Sequence, residues 1–287
     1  MRLIEEFNEN DPEVVNMLMH QLEKELEVDP LEKIEHPPVA LSMGEHRMGE
    51  EMYPSPIVTY GNLIFIQAPP KSMKTYLTNL LVSAYLSGGG KPELGQMKGF
   101  REGRRVFHFD TEQSKFHAQK VFNRTLRITG EDSSKYHTYA LRKLGPKDRT
   151  EFIKYCLYNK FDAEEVGLVV IDGIADLIND VNNIEESNDI VQQVMKWSQE
   201  LNCAIICVIH QNYGTEKATG HLGSALLKKA ETALFVKKEG TMATVECRNN
   251  RNFPFDDFSF KVNRVGLPEI IDTQINVLKD RKYKNVV

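Results

Sequence analysis

Cysteine is scarce in this chain of 287 residues, with four in all, at Cys156, Cys203, Cys207 and Cys247. None forms a C-x-x-C pair, which argues against a disulfide framework or a zinc site. Buried thiols in a reducing cytoplasm are the expected use. Long apolar runs are missing as well. No stretch approaches the roughly 18 residues of a membrane span, and the first residues lack the build of a signal peptide. A cytoplasmic chain with no membrane partner is therefore expected. There are no internal repeats. No interleaving of aromatic and basic residues marks a platform for single-stranded nucleic acid.

Hydrophobic content of 41% and charged content of 27% are ordinary for a globular protein. The length fits one large domain, or one domain with appendages. The net charge of −5 conceals an asymmetry, because residues 1–52 hold 14 acidic and 4 basic residues. The remaining residues balance at +5, which permits a nucleic-acid partner without demanding one. The acidic segment either covers a basic face or keeps the chain soluble.

Asp11-Pro12-Glu13 is a helix start, with a capping Asp, Pro at the first helical position and an acid in the first turn. Val15, Leu18, Met19, Leu22 and Leu26 follow as one apolar stripe, which predicts a helix ending near Val28-Asp29-Pro30. This stripe either docks on an adjacent subunit or packs on its own core. Residues 29–60 carry five prolines and little periodicity, so a surface-crossing linker is expected there. Beyond it, strands are predicted at 62–67, 104–110, 136–141, 166–172, 203–209, 231–237, 242–248 and 256–263. Helices are predicted at 74–87, 114–129, 147–160, 185–201 and 222–230. Such alternation implies an α/β fold with a mostly parallel central sheet and helices on both faces. The last strands follow one another without helices, and Lys238-Glu239-Gly240 is a turn signal, so a C-terminal antiparallel meander is expected. Gly88-Gly89-Gly90 to Gly103 reads as a flexible basic loop.

The most informative absence lies inside a motif. A phosphate-binding P-loop has the pattern G-x-x-x-x-G-K-[ST], between a buried strand and a helix. After Leu63-Ile64-Phe65-Ile66 the chain reads Ala68-Pro69-Pro70-Lys71-Ser72-Met73-Lys74-Thr75, followed by Tyr76. Both glycines are gone, replaced by Ala68 and Met73, while Lys74-Thr75 is intact. Glycine allows the tight turn and close backbone approach. Alanine is a small change, and Met73 is tolerated if its backbone angle suits an L-residue. Lys71 adds charge, and Pro69 and Pro70 remove two donors but stiffen the entry. Residues 68–76 are the candidate nucleotide cradle, with Lys74 on the β- and γ-phosphates of ATP and the Thr75 hydroxyl on Mg²⁺. The plain alternative is a strand–turn–helix joint with two surface lysines.

Three further strand ends bear on that choice. Leu168-Val169-Val170-Ile171 runs into Asp172, placed to support Mg²⁺ as in a Walker B strand. Gly173 follows instead of a glutamate, so the base must come from elsewhere. Glu112 lies just past the strand Val106 to Asp110, where it would activate the attacking water. The alternative is a helix-capping acid before Ser114. Ala204 to Ile209 ends in His210-Gln211-Asn212, either a γ-phosphate contact or a loop-capping cluster.

Together these residues resemble the RecA-like P-loop ATPase superfamily, and within it the hexameric helicase and RepA-type proteins of plasmids, phages and mobile elements. The resemblance rests on Lys71-Ser72-Met73-Lys74-Thr75, Phe109-Asp110-Thr111-Glu112-Gln113, Val170-Ile171-Asp172-Gly173 and Ile209-His210-Gln211-Asn212. Gly220-His221-Leu222-Gly223-Ser224 adds to it, and the whole spans roughly residues 55–265. The resemblance implies Lys74 and Thr75 on nucleotide and metal, Asp172 on Mg²⁺, Glu112 on water and Gln211 as γ-phosphate sensor. It also implies a homo-oligomer, with a hexameric ring among the options, and a basic finger from the neighbour, for which Arg248 and Arg251 are the candidates. The division expected is an acidic extension and linker at 1–52, an ATPase core at 53–265 and a tail at 266–287. DNA is the implied partner, through Tyr213 to Thr219 with Lys217, through Lys228-Lys229, and through the tail around Lys279, Arg281, Lys282 and Lys284. Three functions stand: a DNA-directed ATPase of a mobile element, an ATP-switched regulator working through element-encoded protein partners, and a non-hydrolysing nucleotide-binding scaffold.

Overall fold

A computed structural model describes residues 12–132, 134–211 and 219–271. The chain divides into two compact units, Met1–Pro37 and Pro38–Val287. The first holds α1 (Pro12–Leu26), with Pro at its first position and Glu13 in its first turn. The expected cap, Asp11, lies outside the described residues. Leu18 is buried, while Met17, Met19 and Leu26 are exposed.

The second unit opens with a hairpin, β1 (Val39–Met48) and β2 (Glu51–Thr59). It continues through β3 (Leu63–Ala68), α2 (Lys74–Ser87), β4 (Met97–Gly99), β5 (Arg105–Asp110), α3 (Lys115–Thr129) and β6 (Tyr136–Ala140). Then come α4 (Pro146–Asn159), β7 (Val166–Asp172), α5 (Ile184–Glu200), β8 (Ala204–His210), α6 (Gly220–Lys229) and β9 (Thr232–Glu239). The described part closes with β10 (Met242–Asn250), β11 (Phe258–Val262) and β12 (Pro268–Ile271). Among the described residues these make a nine-stranded sheet, ordered β12-β11-β10-β9-β3-β8-β7-β5-β6, and a three-stranded sheet, ordered β2-β1-β4.

From β9 to β6 the neighbours pair parallel, and from β9 to β12 antiparallel. This is the expected α/β architecture with its C-terminal meander. Every residue of β3 and β7 is buried, because helices cover both faces and leave no face for polar residues. On one face Leu77 and Leu81 of α2 and Val121 of α3 pack with Ile64, Ile66 and Val170. On the other, Ile153 of α4, Trp197 of α5 and Leu226 of α6 pack with Phe65, Val169 and Ile205. The alternation along β3, with Ile64 and Ile66 one way and Phe65 the other, is the two-residue period of a strand.

Three expectations are corrected. Residues 29–60 are not a linker throughout, since β1 and β2 occupy most of them. The two prolines that masked the pattern, Pro54 and Pro56, lie in β2, the edge strand of its sheet, where a missing N–H costs no ladder bond. The glycine-rich stretch 88–103 contains a short 3-10 helix and β4, which pairs antiparallel with β1. Gly99 is needed there, as a Cβ would lie 2.3 Å from Tyr85 Cα. The segment 266–287 is not all tail, because β12 pairs with β11 and extends the meander by one strand.

One buried acid ties the hairpin to the large sheet. Glu231 is 4% exposed and accepts the Thr59 backbone N–H at 2.9 Å and the Thr59 hydroxyl at 2.8 Å. Asn252 donates to the same carboxylate. Among the described residues no helix is long and apolar enough to cross a membrane.

Candidate functional site

The parallel strands end at one edge in near-common register: Ala68 pairs with His210, Asp172 with Val208, and Asp110 with Asp172. Catalytic groups gather at this edge in open parallel sheets. Above it lies a cavity of about 430 Å³. The phosphate-loop side of its wall is Lys71, Ser72, Met73, Lys74, Thr75 and Tyr76. Asp110, Glu112, Gln113, Asp172 and His210 come from the strand ends, His117, Lys120, Val121 and Arg124 from α3, and Lys238 from β9.

The turn from β3 to α2 is built without either glycine. Lys71 (φ 59°) and Met73 (φ 72°) both take the left-handed backbone region. Met73 is the residue before the helix and accepts the N–H groups of Tyr76 and Leu77 at 3.0 and 3.2 Å. L-residues reach this region at a cost of about 1–2 kcal/mol, so the loop keeps a glycine-like conformation at the expense of strain. The backbone N–H groups of residues 71–75 make no hydrogen bond among the described residues. A run of unmade donors at the start of a 14-residue helix, with the helix dipole behind it, has the chemistry that suits an anion. Ser72 donates its hydroxyl to Pro69 O, which braces the turn.

Lys74 is 7% exposed. Burial pushes its ammonium pKa down, and the nearby Asp172 and Glu112 carboxylates oppose that shift. Its Nζ lies 2.9 Å from Nδ1 of His210. An ammonium only donates, so Nδ1 accepts and the proton of the imidazole sits on Nε2. That N–H donates to Oε1 of Glu112 at 2.7 Å. The result is a chain of three side chains, Lys74 to His210 to Glu112, across the ends of β3, β8 and β5. The His210 hydrogen bond is the first cause holding Glu112 below the usual carboxylate range. Burial opposes it, and the charge of Lys74 assists.

Asp172 closes β7 and is pushed up to about 7, first by burial and then by the neighbouring Asp110 and Glu112 charges. The Lys74 charge pulls the other way. Asp110 is also raised by burial, against the hydrogen bonds it accepts. Its Oδ1 takes the N–H groups of Glu112 and Gln113 at 3.1 and 2.7 Å, and its Oδ2 takes Gln113 Nε2 at 2.9 Å. Asp110 thus fixes the turn that presents Glu112. Thr111 ties the two strand ends together. Its N–H donates to Asp172 O at 2.7 Å, and its hydroxyl accepts Gly173 N–H at 2.8 Å and donates to Asp176 at 2.7 Å. Arg149 of α4 braces the same turn from below, on Asp176 O at 2.7 Å and Thr111 O at 3.3 Å.

These residues fit a metal–triphosphate. The unmade N–H groups, Lys74 and Lys71 suit phosphate, and the converging carboxylates at Asp172 suit a hard cation. No group of three or more His, Cys, Asp or Glu able to hold a metal alone occurs among the described residues. Mg²⁺ takes one or two carboxylates plus phosphate and water, and Asp172 in the cavity wall offers one carboxylate.

Of the expected cradle 68–76, residues 71–76 line the cavity, together with Glu112 and Asp172, whereas Ala68, Pro69 and Pro70 do not. Gln211 stands one position beyond the edge, with its backbone N–H on Ala68 O at 2.9 Å, and the side chain in the cavity wall is that of His210. Asn212 and residues 213–218 lie outside the described residues, as do Lys279, Arg281, Lys282 and Lys284. Arg248 and Arg251 do not line the cavity. Arg248 sits 4.3 Å over the Phe235 ring and pairs with Glu246 at 3.0 Å, while Arg251 donates to Lys228 O at 3.0 Å. Four polar wall residues escaped the sequence reading: His117, Lys120, Arg124 and Lys238. The first three recur at helical spacing on α3, the one signal that points to them.

By sequence, residues 38–216 match the AAA domain family, which is more than half of the chain. No curated protein matches. Among solved structures, the crystal structure of the RadB recombinase superposes with a TM-score of 0.52 at 16% identity, covering 74% of this chain and 92% of that chain. In all, 733 solved chains match, so the fold alone selects no single activity. The chain therefore belongs to the AAA domain family and has a RecA-like fold.

Proposed function

We propose that the chain binds Mg²⁺-ATP in this cavity and hydrolyses it, and that the hydrolysis drives work on DNA. One observation carries the first part. The unmade N–H groups of residues 71–75, the Lys74 ammonium, the Asp172 carboxylate and the Glu112 carboxylate converge on a single cavity. Lys74 and the loop backbone hold the phosphates, and Thr75 with Asp172 hold the metal. Bound Mg²⁺ supplies neutralisation of the phosphate charge. Glu112, kept ionised by His210, is the base that orients and deprotonates the attacking water. His210, joined to both Lys74 and Glu112, is placed to report the presence of the outermost phosphate, with Gln211 beside it.

The resemblance to mobile-element ATPases adds the finer reading. It supports a helicase-like or motor role in replication or mobilisation, a homo-oligomer, a hexameric ring, and element-encoded protein partners. The free cysteines suit the reducing cytoplasm in which such an enzyme would work. Steady-state ATP turnover, measured alone and with single- and double-stranded DNA, tests the proposal. Stimulation by DNA that vanishes in Lys74→Ala and Glu112→Gln is the expected result.

A second reading, an ATP-switched recruitment factor with little turnover, draws on Arg248 and Arg251, both held by groups of their own chain. Tight ATP binding with DNA-independent, slow hydrolysis would favour it. No affinity for Mg²⁺-ATP in calorimetry would leave only a scaffold role.

A further inference from the structure

Lys238 is one of three cavity cations that the P-loop scheme does not use; the other two, Lys120 and Arg124 of α3, lie over the Phe116 and Tyr76 rings. It lies in β9, on the opposite side of β3 from His210. The strand alternates, and Leu234 and Val236 point into the core beneath α2, so Lys238 continues their row toward the helix start. The register places it beside the loop. Gln67 pairs with Phe235, so Ala68 stands level with Val236 and Lys238 lies two residues beyond the end of β3. Its side chain reaches the cavity wall there. Among the described residues the Lys238 side chain makes no ion pair or hydrogen bond. Its neighbour Lys237, facing the other way, pairs with Glu246 at 2.8 Å.

The two arginines expected as fingers sit elsewhere. β10 runs antiparallel to β9, with Met242 opposite Glu239 and Asn250 opposite Thr232. Arg248 therefore stands between the levels of Leu234 and Ala233, roughly four to five residues or about 15 Å below Lys238 along the strand. An exposed ammonium without a counter-ion, in a cavity otherwise fitted for polyphosphate, is a phosphate ligand in waiting.

We propose that Lys238 binds the polyphosphate of the nucleotide held by its own chain, a cation supplied in cis from the β9–β10 hairpin. The proposal rests on the nucleotide reading above. Calorimetric titration with Mg²⁺-ATP and with adenosine tests it. Lys238→Ala is expected to weaken Mg²⁺-ATP binding about tenfold, the loss of one charge-assisted hydrogen bond. Adenosine binding should be unchanged, and Lys238→Arg should restore most of the loss. Unchanged Mg²⁺-ATP affinity in Lys238→Ala, with wild-type binding intact and Lys74→Ala binding lost, would overturn the proposal and leave the nucleotide site standing. No wild-type binding at all would overturn the site itself. A mixture decides cis from trans. Lys74→Ala and Lys238→Ala chains combined regenerate an intact site only if Lys238 reaches a neighbour. No recovery of tight binding is expected, and recovery would overturn the cis assignment.

Discussion

Nε2 of His210 lies 2.7 Å from Oε1 of Glu112, although β7 separates the strands that carry them. The same imidazole accepts from Lys74 on its other nitrogen. One ring therefore links Lys74 to Glu112, the cation and the base of the proposed reaction. The link sets how the site responds to pH.

Removing the ring should move the acid limb of the hydrolysis profile. His210 is the first cause of the low Glu112 pKa, and a base works only when ionised. In His210→Ala the Glu112 carboxyl rises toward its ordinary value, so the acid limb of kcat shifts to higher pH. A pH–rate profile superposing on the wild type would contradict this.

Lys74 and Glu112 should separate binding from chemistry. Lys74→Ala is expected to abolish measurable Mg²⁺-ATP binding, because a buried cation inside the cradle is lost. Glu112→Gln keeps shape and binding but should lower kcat by roughly 10²–10⁴-fold. Filter binding and phosphate release on the same preparations check both outcomes. Equal loss of binding in Glu112→Gln would remove its assignment as base.

Asp172 makes the nucleotide-free chain pH-sensitive. Its folded pKa of about 7 lies above the ordinary 3.8. The folded state then holds a proton that the unfolded state has released, so stability falls as pH rises from about 4 to 7. Over that window Asp172 costs roughly 2–4 kcal/mol. Asp172→Asn should stabilise the nucleotide-free chain at pH 8 and flatten the dependence, while weakening Mg²⁺-dependent nucleotide binding. Urea titrations at pH 5 and pH 8 measure it, and a parallel fall in both proteins would tell against the assignment.

Met73→Gly should stabilise the loop. Met73 holds φ 72°, which glycine adopts without a Cβ penalty. Relief of about 1–2 kcal/mol is offset by the greater freedom of glycine in the unfolded chain, leaving a gain of about 0.5–1 kcal/mol. Thermal melts read this directly. A lower Tm would show that the Met73 side chain contributes more in packing than its backbone costs.

Glu231→Ala should cost about 2 kcal/mol, since it strands the Thr59 N–H and hydroxyl in a buried setting. Chemical denaturation of the purified variant gives the value. A change under 0.5 kcal/mol would mean that the hairpin is held without this clamp.

Much of the α/β core was legible because buried parallel strands must be apolar along their whole length. Val166 to Ile171 announces a central strand, and the acid that stops it, Asp172, announces the sheet edge. The P-loop was legible despite Met73, since Lys74-Thr75 and the strand before it survive the loss of glycine. The hairpin β1–β2 was not legible, as prolines at an edge strand look like a linker when the edge is unknown. β12 escaped because four residues carry too little periodicity to separate a strand from a tail.

By itself the sequence determined the strands, their polar ends and the loop, because burial and turn chemistry are local and leave their pattern in neighbouring residues. Only the tertiary structure decided which polar ends meet. Lys74 and His210 are 136 residues apart, and they touch because β8 lies beside β3. Lys238 enters the cavity because β9 lies on the other side of β3, whereas Arg248, on the returning strand, is carried away from it. Strand order is fixed by how helices pack across both faces of the sheet, and no run of adjacent residues records it.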